Sequence, residues 1–402
     1  MKTDTDPQKI EQLLTRGVEH IYPSPAFLEA RLKEGKPLSL YVGIDPTSPD
    51  LHIGHSIVLR KMREFQQLGH TIILLIGDFT GMIGDPSDKS AARVRLTREQ
   101  VLKNAETYTQ QASKLISFEG KNPAQLRYNS TWWGQLTAEQ MLELAANFTV
   151  QQMLERDMFE KRMAEAKPIY LHEFFYPLLQ GYDCVAMDVN GEIGGNDQTF
   201  NMLAGRTLLK TLKNKEKFVI TMKLLADPTG KKMGKSEGNM IRMGDSADEM
   251  FGKVMSWTDG MIVGGFELLT DVPDEDIAAI SKSLIREEVN PRDLKARLAR
   301  EVVRGFHSTG EAAAASDRFD QLFREHEQPT DVPEHRVTGP TPIVQVLVET
   351  GLAKSKTDAR RLIEGGGVKV DETVVEDVEM HIKPGKNGVL IQKGKRHFVR
   401  VR

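Results

Sequence analysis

LSLYVGID (Leu38–Asp45) decides the fold when read with the segments C-terminal to it: the loop Pro46-Thr47-Ser48-Pro49-Asp50, the turn His52-Ile53-Gly54-His55, a helical pattern, and TIILLI (Thr71–Ile76). The first and last runs are short, apolar and β-rich, as suits strands buried on both faces. Between them Ile57, Val58, Met62, Phe65 and Leu68 recur at helical spacing. Strand, helix and strand in that order make a βαβ unit, and such units build a parallel sheet covered by helices.

Working outward, the alternation continues. A Gly/Asp loop runs from Gly77 to Lys89, and Thr97-x-x-Gln100 has the form of a capping box at the head of a helix. The periodicity predicts helices over Ala138–Asn147, Val150–Ala166 and Leu171–Asp183, and strands over Val185–Val189 and Phe218–Thr221. Residues 1–228 are therefore expected to form an α/β, Rossmann-like parallel-sheet domain. Residues 229–325 read as a loop followed by an amphipathic helical domain, with Ile277, Ile280, Leu284 and Ile285 on one helix and Leu294, Leu298, Val302 and Val303 on another. Four prolines and no sustained period in residues 325–342 mark 326–340 as a linker, and residues 341–402 begin a separate small α+β module.

Composition narrows the function classes. With 39% hydrophobic and 28% charged residues over 402 positions, the chain can bury a substantial core, which excludes a disordered tail. The single cysteine, Cys184, excludes an intramolecular disulfide and reads as a small buried hydrophobe. The start, MKTDTDPQKI, has neither a signal-peptide apolar run nor an Arg-rich transit pattern, so a cytoplasmic protein is expected. The longest candidate apolar run, Thr71–Ile76, stops at Gly77-Asp78, far short of a membrane span. Overall charge, 54 basic against 57 acidic residues, suggests no nucleic-acid partner, yet residues 341–402 hold 12 basic and 8 acidic side chains. A basic module follows an acidic body.

Two motifs carry chemistry. At His52-Ile53-Gly54-His55 the backbone N–H groups of a helix start favour anions, the missing side chain of Gly54 lets a flat base approach, and two imidazoles sit on one side of the first turn. A lone His-x-x-His is better explained by exposed cap histidines, and it lacks the Glu and third ligand of a zinc enzyme, so no metal site is expected. The second motif, Lys231-Lys232-Met233-Gly234-Lys235-Ser236, sets ammonium groups between glycines after a predicted strand. Alone it reads as solvated surface; paired with the first, it reads as a loop that closes on a polyphosphate.

In these two motifs the chain resembles the class I aminoacyl-tRNA synthetases, whose signatures are written HIGH and KMSKS; Gly234 departs from the serine of the second. Tyr41-Val42-Gly43-Ile44-Asp45-Pro46-Thr47, Ile83-Gly84-Asp85-Pro86-Ser87, Tyr176-Pro177-Leu178-Leu179-Gln180-Gly181-Tyr182-Asp183 and Gly194-Gly195-Asn196-Asp197-Gln198 narrow the resemblance to the tyrosyl-tRNA synthetases. The resemblance implies that Asp183 and Tyr41 receive a phenolic hydroxyl, and that Asp85, Tyr176, Gln180 and Gln198 hold the α-ammonium group. Tyr176, Gln180 and Asp183 share one helical face at i, i+4 and i+7. A carboxylate suits the task, because a buried acceptor left unpaired by phenylalanine rejects it.

For ATP, taken with Mg2+, the resemblance implies phosphate contacts by Thr47, His52 and His55, an adenine platform at Gly54, ribose contacts by Gly195 and Asp197, and Asp45 between the two ligands. Lys89 and Arg93, with Lys232, Lys235 and Ser236, fall where the family grips pyrophosphate. Asn129 is a looser match to a family asparagine near the substrate, while Trp132 and Trp133 read as packing residues, and Met141, Met153 and Met163 as core positions of helices.

The last module resembles the S4 RNA-binding domain: Ser355 caps a helix whose Lys356 and Arg360 lie one turn apart, with Arg361 beside them. Gly365-Gly366-Gly367 ends that helix, Val368 and Val370 start a strand, Asn387-Gly388 marks a turn, and Lys393, Lys395, Arg396, Arg400 and Arg402 crowd the end. The family implies tRNA(Tyr) and L-tyrosine as partners, and a homodimer. A tryptophan-specific sister enzyme shares the architecture but suits neither Asp183 nor Tyr41. A non-catalytic RNA-binding relative or an S4-bearing RNA-modifying enzyme would need neither nucleotide motif.

Overall fold

The computed structural model describes residues 2–86, 96–226, 240–324, 332–337, 339–371, 373–383, 388–394 and 397–402. They fall into two compact units, Met1–Ser316 and Asp317–Arg402.

The first unit is built on a six-stranded sheet in the order β1-β6-β5-β2-β3-β4, with β1 Val18–Tyr22, β2 Ser39–Ile44, β3 Thr71–Ile76, β4 Gln125–Tyr128, β5 Gly191–Gly195 and β6 Phe218–Met222. All neighbours run parallel except β1, which pairs antiparallel with β6. The stretch from Leu38 to Ile76 folds as expected: β2, the helix Ile53–Gln67 and β3, with Leu40, Leu74, Leu59, Met62 and Phe65 fully buried between them. From β2 the chain winds one way to β3 and β4, then returns to the other side for β5 and β6. The crevice where the order reverses, between β2 and β5, is where an open α/β sheet takes ligands.

Several expectations are corrected. A strand is expected over Val185–Val189, but Val185 lies in the helix Tyr176–Met187 and the strand comes later, at β5. The valines are buried because that helix is covered on most sides, so apolar content could not separate helix from strand. Val150–Ala166 is two helices, Val150–Leu154 and Asp157–Ala164, and Leu171–Phe174 is a 3₁₀ turn preceding the longer helix. Met153 is buried, but Met163 is 47% exposed and does not occupy the core. β1 and β4 carry no clear sequence signal: β1, VEHIY, sets two adjacent polar residues among its apolar ones at a sheet edge, and β4, QLRY, is four residues long and largely exposed.

Two helices touch backbone to backbone behind the crevice. A Cβ at Gly181 would stand 3.0 Å from the nitrogen of Gly205, and one at Gly205 would stand 3.1 Å from the Cα of Gly181. Only glycines allow Tyr176–Met187 and Thr199–Lys213 to approach so closely. The helices expected after Asp245 are present as Ala247–Met255, Ile262–Leu269, Asp274–Ile285, Pro291–Phe306 and Thr309–Arg324.

In the second unit, β7 Glu334–His335, β9 Val368–Val370, β10 Thr373–Val374, β12 Val389–Lys393 and β13 His397–Val401 form a sheet in the order β10-β9-β12-β13-β7. A separate pair joins β8 Thr341–Pro342 to β11 His381–Ile382, antiparallel. Two helices, Ile343–Glu349 and Lys356–Glu364, close a core of Val346, Leu347, Ala359, Ile363, Ile391 and Val401. Within the stretch read as linker, Glu334–His335 adds to the edge at β13. Two residues beside a proline give no periodicity, and their partner lies at the far end of the chain.

Candidate functional site

The site assembles at the carboxyl ends of the parallel strands. Asp45 follows β2, Gly77 and Thr80 follow β3, Asn129 follows β4, and Gly195, Asp197 and Gln198 close β5. The helix Tyr176–Met187 lays Tyr176, Gln180 and Asp183 along one side.

The two histidines cap the helix they begin. His52 Nδ1 accepts the N–H of Gly54 at 3.1 Å, and His55 Nδ1 accepts the N–H of His52 at 3.1 Å. A ring nitrogen that accepts a backbone proton carries none itself, so each neutral imidazole bears its proton on Nε2. The rings lie 3.9 Å apart. A Cβ at Gly54 would stand 2.9 Å from the ring of His52, so the glycine keeps this pair in place.

Asp183 is 3% exposed, so it is no helix-end carboxylate in water. Its Oδ1 accepts the indole N–H of Trp132 at 2.8 Å and that of Trp133 at 2.9 Å, and its Oδ2 accepts the Asn129 amide at 3.3 Å. The two tryptophans pack in and against the core, as expected, and their indole N–H groups also serve the carboxylate. Burial, opposed by these three donors, pushes the Asp183 carboxyl up to about 8.

From there a chain of hydrogen bonds runs across the site. Asn129 Oδ1 accepts the N–H of Phe79 at 2.9 Å, which fixes the amide so that Nδ2 serves both Asp183 and Thr80 Oγ1, the latter at 3.0 Å. Having accepted, the Thr80 hydroxyl donates to Asp45 Oδ1 at 2.6 Å, and Tyr176 donates to Asp45 Oδ2 at 2.7 Å. A Cβ at Gly77 would strike both Asp45 and Thr80. Nearby, Gln198 donates to Asp85 at 2.6 Å.

Beneath the crevice, Lys217 and Glu192 form a fully buried ion pair at 2.5 Å, and Gln180 donates to the same carboxylate at 3.2 Å. Tyr41 sits within β2 with no exposure. Its buried hydroxyl has no partner at hydrogen-bonding geometry among the described residues. Burial, reinforced by the charge of Glu192, holds that phenol well above its ordinary value, so it keeps its proton. Cys184 is buried and its thiol pushed up to about 11 by burial, as suits an inert core residue.

On the nucleotide side, Thr47 and Asp197 are half-buried, and a Cβ at Gly195 would stand 2.5 Å from the Asp197 carboxylate. Lys89, Arg93, Lys232, Lys235 and Ser236 lie outside the described residues, as do Lys395, Arg396 and Asn387. The chain just after residues 227–239 is tied to the histidine turn: Ile53 N–H donates to Ile241 O at 2.9 Å and Met243 N–H to Leu51 O at 2.8 Å. In the second unit Lys356, Arg360 and Arg361 are exposed on one helix, Ser355 caps it, and Arg361 pairs with Asp358 at 2.9 Å.

Thr80, Glu192 and Lys217 belong to the site, and sequence reasoning misses all three. Glu192 sits two residues before Gly194-Gly195, the one signal that could have found it.

Residues 33–324, which hold the whole strand-end cluster, match the family of class I tRNA synthetases (W and Y), and this sets the class. Residues 325–401 match the tyrosine–tRNA ligase SYY-like C-terminal domain. The chain is 46% identical over 398 residues to a tyrosine–tRNA ligase of Haemophilus ducreyi, covering 98% of this chain and 99% of that one. It is 45% identical over 391 residues to tyrosine–tRNA ligase 2 of Vibrio vulnificus, covering 96% and 97%. The tyrosyl-tRNA synthetase of Archaeoglobus fulgidus, solved with L-tyrosine, shares the fold with a TM-score of 0.61 at 19% identity, covering 78% of this chain and all of that one. The chain belongs to the tyrosine–tRNA ligase family.

Proposed function

We propose that the chain activates L-tyrosine with ATP, as its magnesium complex, to tyrosyl-adenylate and pyrophosphate, and then transfers tyrosine to the 3′ end of tRNA(Tyr). The observation that carries the tyrosine reading is the buried pair of Asp183 and Tyr41: a carboxyl group whose Oδ2 has only the Asn129 amide, and a buried hydroxyl without a hydrogen-bonding partner, among the described residues. A phenolic hydroxyl satisfies both at once, and a phenyl ring satisfies neither. The ammonium end is served by Asp85, with Gln198 turned to it, and by Tyr176 and Gln180 on the same helix face as Asp183.

No protein nucleophile is required. The tyrosine carboxylate attacks the α-phosphorus in line, and the protein's part is to position the reactants and stabilise charge on the transferring and leaving phosphates. His52 and His55, each with its proton on Nε2, supply neutral donors, and Thr47 a hydroxyl. Gly54 takes the adenine, and Gly195 with Asp197 the ribose. Asp45 is held between the substrates by Thr80 and Tyr176. Lys89, Arg93, Lys232, Lys235 and Ser236 supply the contacts that draw pyrophosphate away.

The exposed helix carrying Lys356, Arg360 and Arg361 contacts tRNA phosphates, giving salt-sensitive affinity. Exposed Leu142, Val150, Met163, Tyr170 and Leu171, concentrated between residues 138 and 174, favour a homodimer. No helix among the described residues is long and apolar enough to cross a membrane. The family reading puts the protein's work in the cytoplasm. The test is ATP–pyrophosphate exchange with each of the twenty standard amino acids: tyrosine alone supports rapid exchange. Exchange driven best by tryptophan, or by none, refutes the assignment.

A further inference from the structure

Between Ile44 and His52 the chain has no regular structure, yet it carries Asp45 and Thr47 and leads into the histidine turn. Pro46 and Pro49 have no N–H to donate, and among the described residues the loop's main chain makes one bond to itself, from Thr47 N–H to Asp45 O at 2.7 Å. Three of its carbonyls are met instead by side chains of one short stretch. Asn104 donates to Pro46 O at 2.9 Å, Tyr108 to Ser48 O at 2.6 Å, and Thr107 to Pro49 O at 3.0 Å. Gln111 donates to Pro49 O at 3.1 Å and accepts the N–H of Leu51 at 2.8 Å. Lys114 donates to Met243 O at 2.8 Å, and Met243 N–H donates in turn to Leu51 O at 2.8 Å.

These five side chains stand at i, i+3, i+4, i+7 and i+10, the spacing of one face along the helices Arg98–Ala105 and Tyr108–Ala112 and the turn after them. Tyr108 is 2% and Gln111 7% exposed, so the face is turned inward, where packing alone calls for apolar residues and a polar group is costly unless it is bonded. The Leu51 N–H can only donate, which fixes the Gln111 amide with Oε1 toward it and Nε2 toward Pro49 O and Thr107 Oγ1. Burial pushes the Tyr108 phenol up to about 12, so it keeps the proton it donates.

We propose that this polar stripe, with Gln111 at its centre, positions the loop Pro46–Leu51 so that Thr47 and His52 meet the transferring phosphate already in place. Leu51 is held through both of its backbone groups, by Gln111 on one side and Met243 on the other, one residue before His52. Donors fixed before the reaction stabilise developing charge without reorganising, and a loop without sheet or helix bonds of its own needs outside partners to be fixed. The five side chains are positioning residues that act through the loop, and the inference rests on the proposed activity and on the phosphate contacts of Thr47 and His52.

The test uses the full chain in tyrosine-dependent pyrophosphate exchange and single-turnover activation, with Gln111→Met, Tyr108→Phe, Lys114→Met and Lys114→Arg. Gln111→Met lowers kcat at least about tenfold and leaves the KM for tyrosine within about twofold of wild type, because other elements hold tyrosine. Tyr108→Phe and Lys114→Met each lower kcat about threefold with the same split, and Lys114→Arg, which keeps a donor, restores the rate. In a Thr47→Ala/His52→Ala background, where the groups being positioned are gone, Gln111→Met changes the rate by less than about twofold. Folded variants that exchange at the wild-type rate overturn the proposal. So does a loss that falls mainly on the KM for tyrosine, or one that keeps its full size in the Thr47→Ala/His52→Ala background, since either marks general damage to the fold. Where Gln111→Met does not fold, Tyr108→Phe and Lys114→Met decide in the same way. Wild type without tyrosine-dependent exchange refutes the activity, and a Thr47→Ala/His52→Ala protein as fast as wild type refutes the phosphate contacts; either takes this proposal with it and is told apart from its own failure.

Discussion

His70 shows what one buried side chain can contribute. It is fully buried, its Nδ1 accepts the N–H of Leu38 at 3.2 Å, and its Nε2 has no partner among the described residues. Desolvation lowers its pKa to about 4 from the ordinary 6.5. The unfolded chain therefore binds the proton more readily: stability is full above about pH 6.5 and falls as pH drops toward about 4, by up to about 3 kcal/mol. Urea unfolding of wild type and His70→Gln at several pH values checks this, since glutamine can accept the same N–H without titrating. Parallel profiles for the two proteins contradict it. At this scale the sequence shows Asp183, Tyr176 and Gln180 through their spacing, because helical geometry turns spacing into a shared face. It cannot show Trp132 and Trp133 as ligands of Asp183, since a tryptophan's N–H is silent in any hydrophobic pattern, nor Thr80, whose role depends on Asp45 and Asn129 arriving from two other loops.

Among elements, the contact between Tyr176–Met187 and Thr199–Lys213 matters most, because the first of these helices carries three residues of the proposed tyrosine site. Gly205→Ala would gain about 0.5–1 kcal/mol in helix propensity. Against that, its Cβ would stand 2.8 Å from the Lys217 amine and 3.1 Å from the Gly181 backbone, and such overpacking costs about 1–3 kcal/mol. The steric term wins, so the variant melts several degrees lower and its KM for tyrosine rises as the helix shifts. A melting temperature at or above that of wild type contradicts this. Strands with uniform apolar runs, β2, β3 and β6, are legible from their composition. β5, GEIGG, is not, because its glycines admit the Phe218 ring and the Asp197 carboxylate, and such a segment shows no apolar run.

For the molecule as a whole, the candidate site falls in the first compact unit and the exposed basic helix Lys356–Glu364 in the second. Deleting residues 341–402 leaves tyrosine-dependent pyrophosphate exchange within about twofold of wild type and reduces aminoacylation of tRNA by at least about tenfold at physiological salt, through the lost phosphate contacts. Aminoacylation unchanged by the deletion contradicts the RNA-binding role. The order of a parallel-sheet body, a helical segment and a small basic module is readable because composition and period change along the chain. The edge strand β7 is not, because its pairing joins residues more than sixty positions apart.

The account's central claim is that Asp183 receives the phenol of tyrosine, and a crystal structure of the chain with L-tyrosine tests it most directly. The phenolic oxygen should lie about 2.5–3.0 Å from Asp183 Oδ2 and within reach of the Tyr41 hydroxyl, with both indoles still on Oδ1 and the ammonium beside Asp85. Tyrosine bound elsewhere, or a carboxylate that keeps only its indole and amide partners while the ligand fills the crevice, would contradict it.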